Sequence, residues 1–131
     1  MELVVDTSVL LAVLTSEPER PKLLSLTIGA DLIAPMSVHW EVGNALSAML
    51  KRNRISLKQA QSALAAYEKI PLRHVDVSIA NSIRIAAELA IYAYDAYLIE
   101  CAHSRRIPLL SLDKGLLEAA KRWGVSIEEV H

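Results

Sequence analysis

A chain of 131 residues is enough for one domain around one core, and its single cysteine excludes an intrachain disulfide. Its 14 basic residues against 15 acidic ones give a net charge of −1, without the basic excess common in nucleic-acid-binding proteins. Hydrophobic residues reach 53% and phenylalanine is absent, so the excess lies in alanine and leucine, which favours packed helices over an aromatic-rich β-sandwich. The longest apolar runs, such as 9–14 and 89–94, are far shorter than the ~20 residues of a membrane span. With no targeting pattern ahead of the first strand, the expectation is a cytoplasmic protein with no membrane attachment, folded as a single domain over residues 1–131.

Leu3, Val4 and Val5 read as a buried strand and residues 9–14 as a helix, with Asp6, Thr7 and Ser8 at the joint. Glu17, Pro18 and Glu19 mark a helix start, and that helix runs to Ile28 before Gly29. Residues 31–34 form a second strand ended by Pro35, and Ser37 is the expected N-cap of a helix over 38–51. Residues 51–54 break the pattern as an exposed basic turn. Ser56 then caps a helix to Lys69 with Leu57, Ala60, Leu64 and Tyr67 on one face, which makes a helical hairpin.

Residues 71–75 are a weak third strand. Asp76 is expected to cap the next helix, with Ile79, Ile83, Ala86 and Ala87 turned inward. After a short link, Asp95 opens a helix to Arg105 whose Cys101 reads as a small buried hydrophobe. Residues 107–112 are the clearest late strand and end on Asp113. Residues 115–123 form a last helix closed by Gly124, and 125–127 add an edge strand. This alternation predicts an α/β fold of three layers, α/β/α, with a small, mostly parallel sheet of four to five strands and about seven helices.

Four acids stand where such a fold concentrates chemistry. Asp6 and Asp113 end strands, Asp95 opens a helix, and Glu41 lies about one turn into the helix that Ser37 begins. In a parallel sheet, strand ends and the starts of the following helices share one edge. Taken singly, each acid has an ordinary explanation as a cap or as a partner of the helix dipole, and Asp76 has that context with no other role. Taken together, converging carboxylates repel unless a cation lies among them. An oxygen-only donor set suits Mg²⁺ or Mn²⁺. No Cys/His spacing suits zinc, and the scattered His39, His74, His103 and His131 read as surface or structural.

Asp6-Thr7-Ser8 after a strand, Glu41 in Trp40-Glu41-Val42-Gly43-Asn44-Ala45-Leu46, Tyr94-Asp95-Ala96, and Ser111-Leu112-Asp113 resemble the four acidic motifs of PIN-domain nucleases, most closely the small VapC-type toxins. The resemblance covers essentially the whole chain. It implies a PIN fold and Mg²⁺- or Mn²⁺-dependent cleavage of single-stranded or structured RNA. It further implies Asp6 and Asp95 as direct metal ligands, Glu41 acting largely through metal-bound water, and Asp113 completing the cluster. Ser111 matches a hydroxyl position two residues before the last acid, and Thr7 or Ser8 would orient water, metal or phosphate. Proteins of this type pair with themselves and with a small antitoxin.

RNA held at an acidic pocket needs cations at its rim. The first candidates are Lys51, Arg52 and Arg54, followed by the pairs Arg105–Arg106 and Lys121–Arg122. Other readings are a housekeeping RNA-processing nuclease with no antitoxin, or a PIN-like binding module without catalysis. A phospho-receiver or Asp-x-Asp phosphatase fits poorly, because Asp6 is followed by Thr7 and Ser8 rather than by a second acid.

Overall fold

The computed structural model describes residues 1–130; His131, expected to be surface or structural, lies outside the described residues. The elements run β1 (Glu2–Val5), α1 (Thr7–Leu14), α2 (Arg20–Thr27), β2 (Asp31–Pro35), α3 (Ser37–Lys51), α4 (Leu57–Glu68), β3 (Leu72–Val75), α5 (Ile79–Leu89), α6 (Ala93–Arg105), β4 (Leu109–Leu110), α7 (Lys114–Arg122) and β5 (Ile127–Glu128). Every strand pair is parallel, in the order β3-β2-β1-β4-β5. Parallel neighbours require crossovers, and the helices that make them cover both faces of the sheet. α6 lies against β1, β2 and β4 with α5 and α7 beside it, while α1 packs with α2, α3 and α4. The result is the expected three-layer α/β/α fold.

β1 is the middle strand, and Leu3, Val4 and Val5 are wholly buried. A strand covered on both faces needs an unbroken apolar run rather than alternation. The chain builds outward from β1 to β2 and β3, then returns to add β4 on the other side. The strand order therefore reverses between β1 and β4, and in open α/β sheets the crevice at such a reversal is where ligands bind. α6 is the most buried helix, with Ala96, Leu98, Ile99, Cys101 and Ala102 in the core. Burial pushes the Cys101 thiol up to about 11, so it stays protonated and acts as packing.

Several local expectations are corrected. α3 begins one residue early, with Met36 at the cap position and Ser37 as its first residue. The Ser37 hydroxyl is buried without a hydrogen-bond partner among the described residues. α2 begins at Arg20, because residues 17–20 close a turn through Arg20 N–H donating to the Glu17 carbonyl. Asp76 caps nothing: α5 starts later, and Ser78 accepts from Asn81 N–H at 3.1 Å. α5 also turns a different face inward. Ser82, Ile85 and Leu89 are buried, whereas Ile79 and Ile83 are 62% and 59% exposed. The helix carries two apolar stripes, and packing on α6 selects the second. On α4, Ala60 and Tyr67 are buried but Leu57 and Leu64 are exposed. The late strand pairs only at Leu109–Leu110, and the edge strand lies at Ile127–Glu128.

The hairpin of α3 and α4 is locked to β3 by a polar chain. Tyr67, only 5% exposed, has its hydroxyl 3.0 Å from His39 Nδ1 and 3.1 Å from His74 Nε2. Burial, with His39 nearby, lowers the His74 pKa and keeps its ring neutral. One hydroxyl has one proton to give, so Tyr67 donates to one imidazole and accepts from the other. Replacing Tyr67 by Phe strips both imidazoles of their partner. Urea denaturation should show a loss of about 1–2 kcal/mol, and an unchanged midpoint would mean that the chain adds nothing to stability.

Candidate active site

The acid site grows from the end of β1. Asp6 leaves the strand with extended backbone (φ −103°, ψ 177°) and caps α1, its Oδ1 accepting from Val9 N–H at 3.1 Å. The same oxygen accepts from Ser8 Oγ at 2.6 Å, and Oδ2 accepts from Ser111 Oγ at 2.5 Å. Both hydroxyls also face backbone: Leu112 N–H donates to Ser8 Oγ at 3.0 Å, and Asp113 N–H donates to Ser111 Oγ at 2.9 Å. Two serines thus stitch the end of β1 to the loop leaving β4, across the reversal in strand order. An ionised carboxylate offers about four lone pairs. Three are taken, and one on Oδ2 is left for a ligand.

The other acids arrive from three helices. Glu41 is the fifth residue of α3, and Thr7 Oγ1 donates to its Oε2 at 2.9 Å. Asp95 is the third residue of α6 rather than its cap. Asp113 caps α7, its Oδ1 accepting from Leu116 N–H at 3.1 Å. All four acids, with Thr7 and Ser8, line one cavity of about 380 Å³. Ser111 lies behind it, against Asp6. Water, metal or phosphate were the expected partners of Thr7 or Ser8; in the structure Thr7, Ser8 and also Ser111 donate to carboxylates.

The electrostatics follow from burial and crowding. Burial raises the Asp6 pKa; the hydrogen bonds from Ser111, Ser8 and Val9 pull it down, and the charge of Asp113 pushes it further up. Glu41 is raised by burial, against the Thr7 hydrogen bond, with Asp6 and Asp95 adding repulsion. Asp95 is raised by burial and by Asp113. Among the described residues, no lysine, arginine, histidine or cysteine lines the cavity to neutralise the carboxylates.

Such a donor set fits a hard divalent cation. Among the described residues, no three acidic, imidazole or thiol side chains already stand together as a metal cage. Mg²⁺ takes one or two carboxylates and keeps several waters. Asp6, through its free Oδ2 lone pair, and Asp95 are the residues that would hold it.

A family model for the PIN domain matches residues 3–122. The chain belongs to the PIN-domain family. No curated protein matches it. In fold this PIN domain is similar to PAE2754 from Pyrobaculum aerophilum, at 21% identity and a TM-score of 0.68 over 97% of this chain and 92% of that one. It is also similar to VapBC2 from Rickettsia felis, solved bound to a DNA fragment from their promoter, at 16% identity and a TM-score of 0.68 over 98% of both chains. VapC20 from Mycobacterium tuberculosis, described as a sarcin–ricin-loop-cleaving toxin, gives 16% identity and a TM-score of 0.63 over 89% of this chain and 94% of that one.

The basic turn stands apart from the cavity of the PIN domain. Lys51 ends α3, Arg52 is its C-cap, and Arg54 follows, all exposed. Lys51 is ten residues beyond Glu41, or about 15 Å along the helix. Three cavity residues escaped the sequence reading of the site: Asn44, Tyr94 and Leu98. Helical spacing carries the signal for two of them, since Asn44 is three residues after Glu41 and Leu98 three after Asp95.

Raised acid pKa values have a definite sign in stability. The cost of holding these carboxylates charged is absent below their ordinary range and appears as pH rises through the raised values. In EDTA at neutral pH, Asp95→Asn should therefore raise the melting temperature by roughly 1–3 °C. The gap should shrink towards pH 4, and millimolar Mg²⁺ or Mn²⁺ should stabilise the wild type more than the variant. A variant less stable than wild type in EDTA would contradict the repulsion described here.

Proposed function

We propose that this PIN domain is a metal-dependent endoribonuclease, with Mg²⁺ or Mn²⁺ as its cofactor, and the cytoplasmic toxin of a type II toxin–antitoxin pair. The observation that carries the reading is the convergence of Asp6, Glu41, Asp95 and Asp113 on one cavity at the reversal in strand order, with no cation among the lining side chains. A divalent cation bound there supplies an acidified water and offsets the charge that builds on the phosphate.

The chain's own residues divide the remaining work. Ser8, Ser111 and Val9 N–H hold Asp6 and leave one lone pair of Oδ2 with which it would hold the cation. Asp95 would be the second ligand, and Asp113 would complete the negative cluster. Thr7 holds Glu41 by Oε2, leaving Oε1 to take a proton from the attacking water. Burial and neighbouring acids raise the Glu41 pKa, which moves it towards the operating pH, where a general base works best. Lys51, Arg52 and Arg54 draw the RNA backbone along α3.

The antitoxin half of the reading rests on likeness of fold to the Rickettsia felis VapBC2 structure. The exposed Ile79 and Ile83 on α5 are apolar surface for the pairing of two copies.

Cleavage of a labelled RNA in Mg²⁺ or Mn²⁺ tests the reading. Asp6→Asn and Asp95→Asn should each lower kcat/KM by at least about 100-fold, and Ser111→Ala, which frees the Asp6 carboxylate to turn, by about 10–100-fold. Full activity in EDTA, or wild-type rates in both Asn variants, would overturn it.

A further inference from the structure

Seven of the nine residues lining the acid cavity are polar; the other two are Tyr94 and Leu98. They sit four residues apart on α6, one turn above the other on a single helix face. Together they make an apolar wall beside Asp95. Leu98 is buried and forms its base, while Tyr94 is 55% exposed and forms its lip. A lone exposed tyrosine is ordinary. This one faces a cavity of acids, and Tyr97 holds its ring edge-to-face, with centroids 6.0 Å apart at 85°. An aromatic ring braced on one side and open to solvent on the other is a platform rather than a core residue.

The cavity also lacks what a phosphate-binding site usually has. Among the described residues no lysine or arginine lines it, and the basic turn of α3 is about 15 Å away along the helix. Affinity at the reacting phosphate must therefore come from the cation and from contacts that are not ionic. We propose that the Tyr94–Leu98 wall stacks a nucleobase adjoining the scissile phosphate, with Tyr94 as the specificity-determining residue that selects an unstacked nucleotide over one held in a duplex. This rests on the nuclease reading given above. A base–aromatic stack is tolerant of base identity because every base has a π-face, so the wall selects for strand state and not for sequence.

The test separates stacking from cleavage. A single-stranded RNA carrying 2-aminopurine at successive positions is titrated, in Mn²⁺, with Glu41→Gln protein that keeps the cavity and binds without cutting. Quenching is expected at one position, and adding Tyr94→Ala should abolish it and weaken binding by about tenfold, the scale of losing one base–aromatic stack. Tyr94→Phe and Tyr94→Trp should keep both the quenching and the affinity. In the cleaving protein, Tyr94→Ala should raise KM about tenfold with kcat nearly unchanged, and the same RNA annealed to its complement should show no dependence on Tyr94. Equal affinity and quenching in Tyr94→Ala would overturn the proposal, as would a loss in Tyr94→Phe as large as in Tyr94→Ala. A wild type that cuts no RNA, with position-specific quenching that Tyr94→Ala removes, would overturn the nuclease reading and uphold the stacking wall.

Discussion

A carboxylate that is 5% exposed at the end of a strand buried from both sides is held by three hydrogen bonds. Without them, burying Asp6 would cost several kcal/mol or force it to take up a proton. The donors come from its own helix start, through Ser8 and Val9, and from the far side of the strand reversal, through Ser111. Ser8 and Ser111 each donate to Asp6 and accept from the backbone of the β4–α7 loop. The same two hydroxyls thus orient the acid and tie together the sheet edge on which it stands. The rest of the cavity is assembled around that fixed point.

The remaining acids are held more loosely. Thr7, the first residue of α1, tethers Glu41 across 34 positions of sequence. Asp95 rides on α6, whose burial beneath the sheet fixes where its third residue emerges. Asp113 caps α7, and its position follows from the loop that Ser111 pins. Asp6 accepts three hydrogen bonds and Glu41 and Asp113 one each, around a charge that no described side chain of the cavity balances. Such a site would suit a hard cation, and one or two direct ligands are what Mg²⁺ asks of a protein.

Much of this was legible in the chain, for physical reasons. Leu3–Val5 is a continuous apolar run because a central parallel strand has no polar face. Ser56 caps α4 as its place before the apolar pattern predicts. The four acids were found because strand ends and helix starts share one edge. The misreadings arose where local pattern leaves a choice. α5 has two apolar stripes, and only α6 decides between them. Asp76 and Ser78 are both good caps, and the chain stays extended until the second. Ser111 leaves the late strand early because its hydroxyl is drawn to Asp6. The contact of His39 with Tyr67, and the apolar wall of Tyr94 and Leu98, depend on how separate elements meet, which no window of sequence contains.

The central claim is that Asp6, held at the end of β1, is the anchor of a divalent-cation site shared with Asp95. Crystals grown with Mn²⁺ and measured at its absorption edge would show the ion directly. The account predicts an anomalous peak about 2.0–2.2 Å from Asp6 Oδ2 and from an Asp95 carboxylate oxygen, with the Ser8 and Ser111 hydrogen bonds to Asp6 intact. A well-ordered cavity with no peak at millimolar Mn²⁺, or a peak whose ligands exclude Asp6, would contradict it.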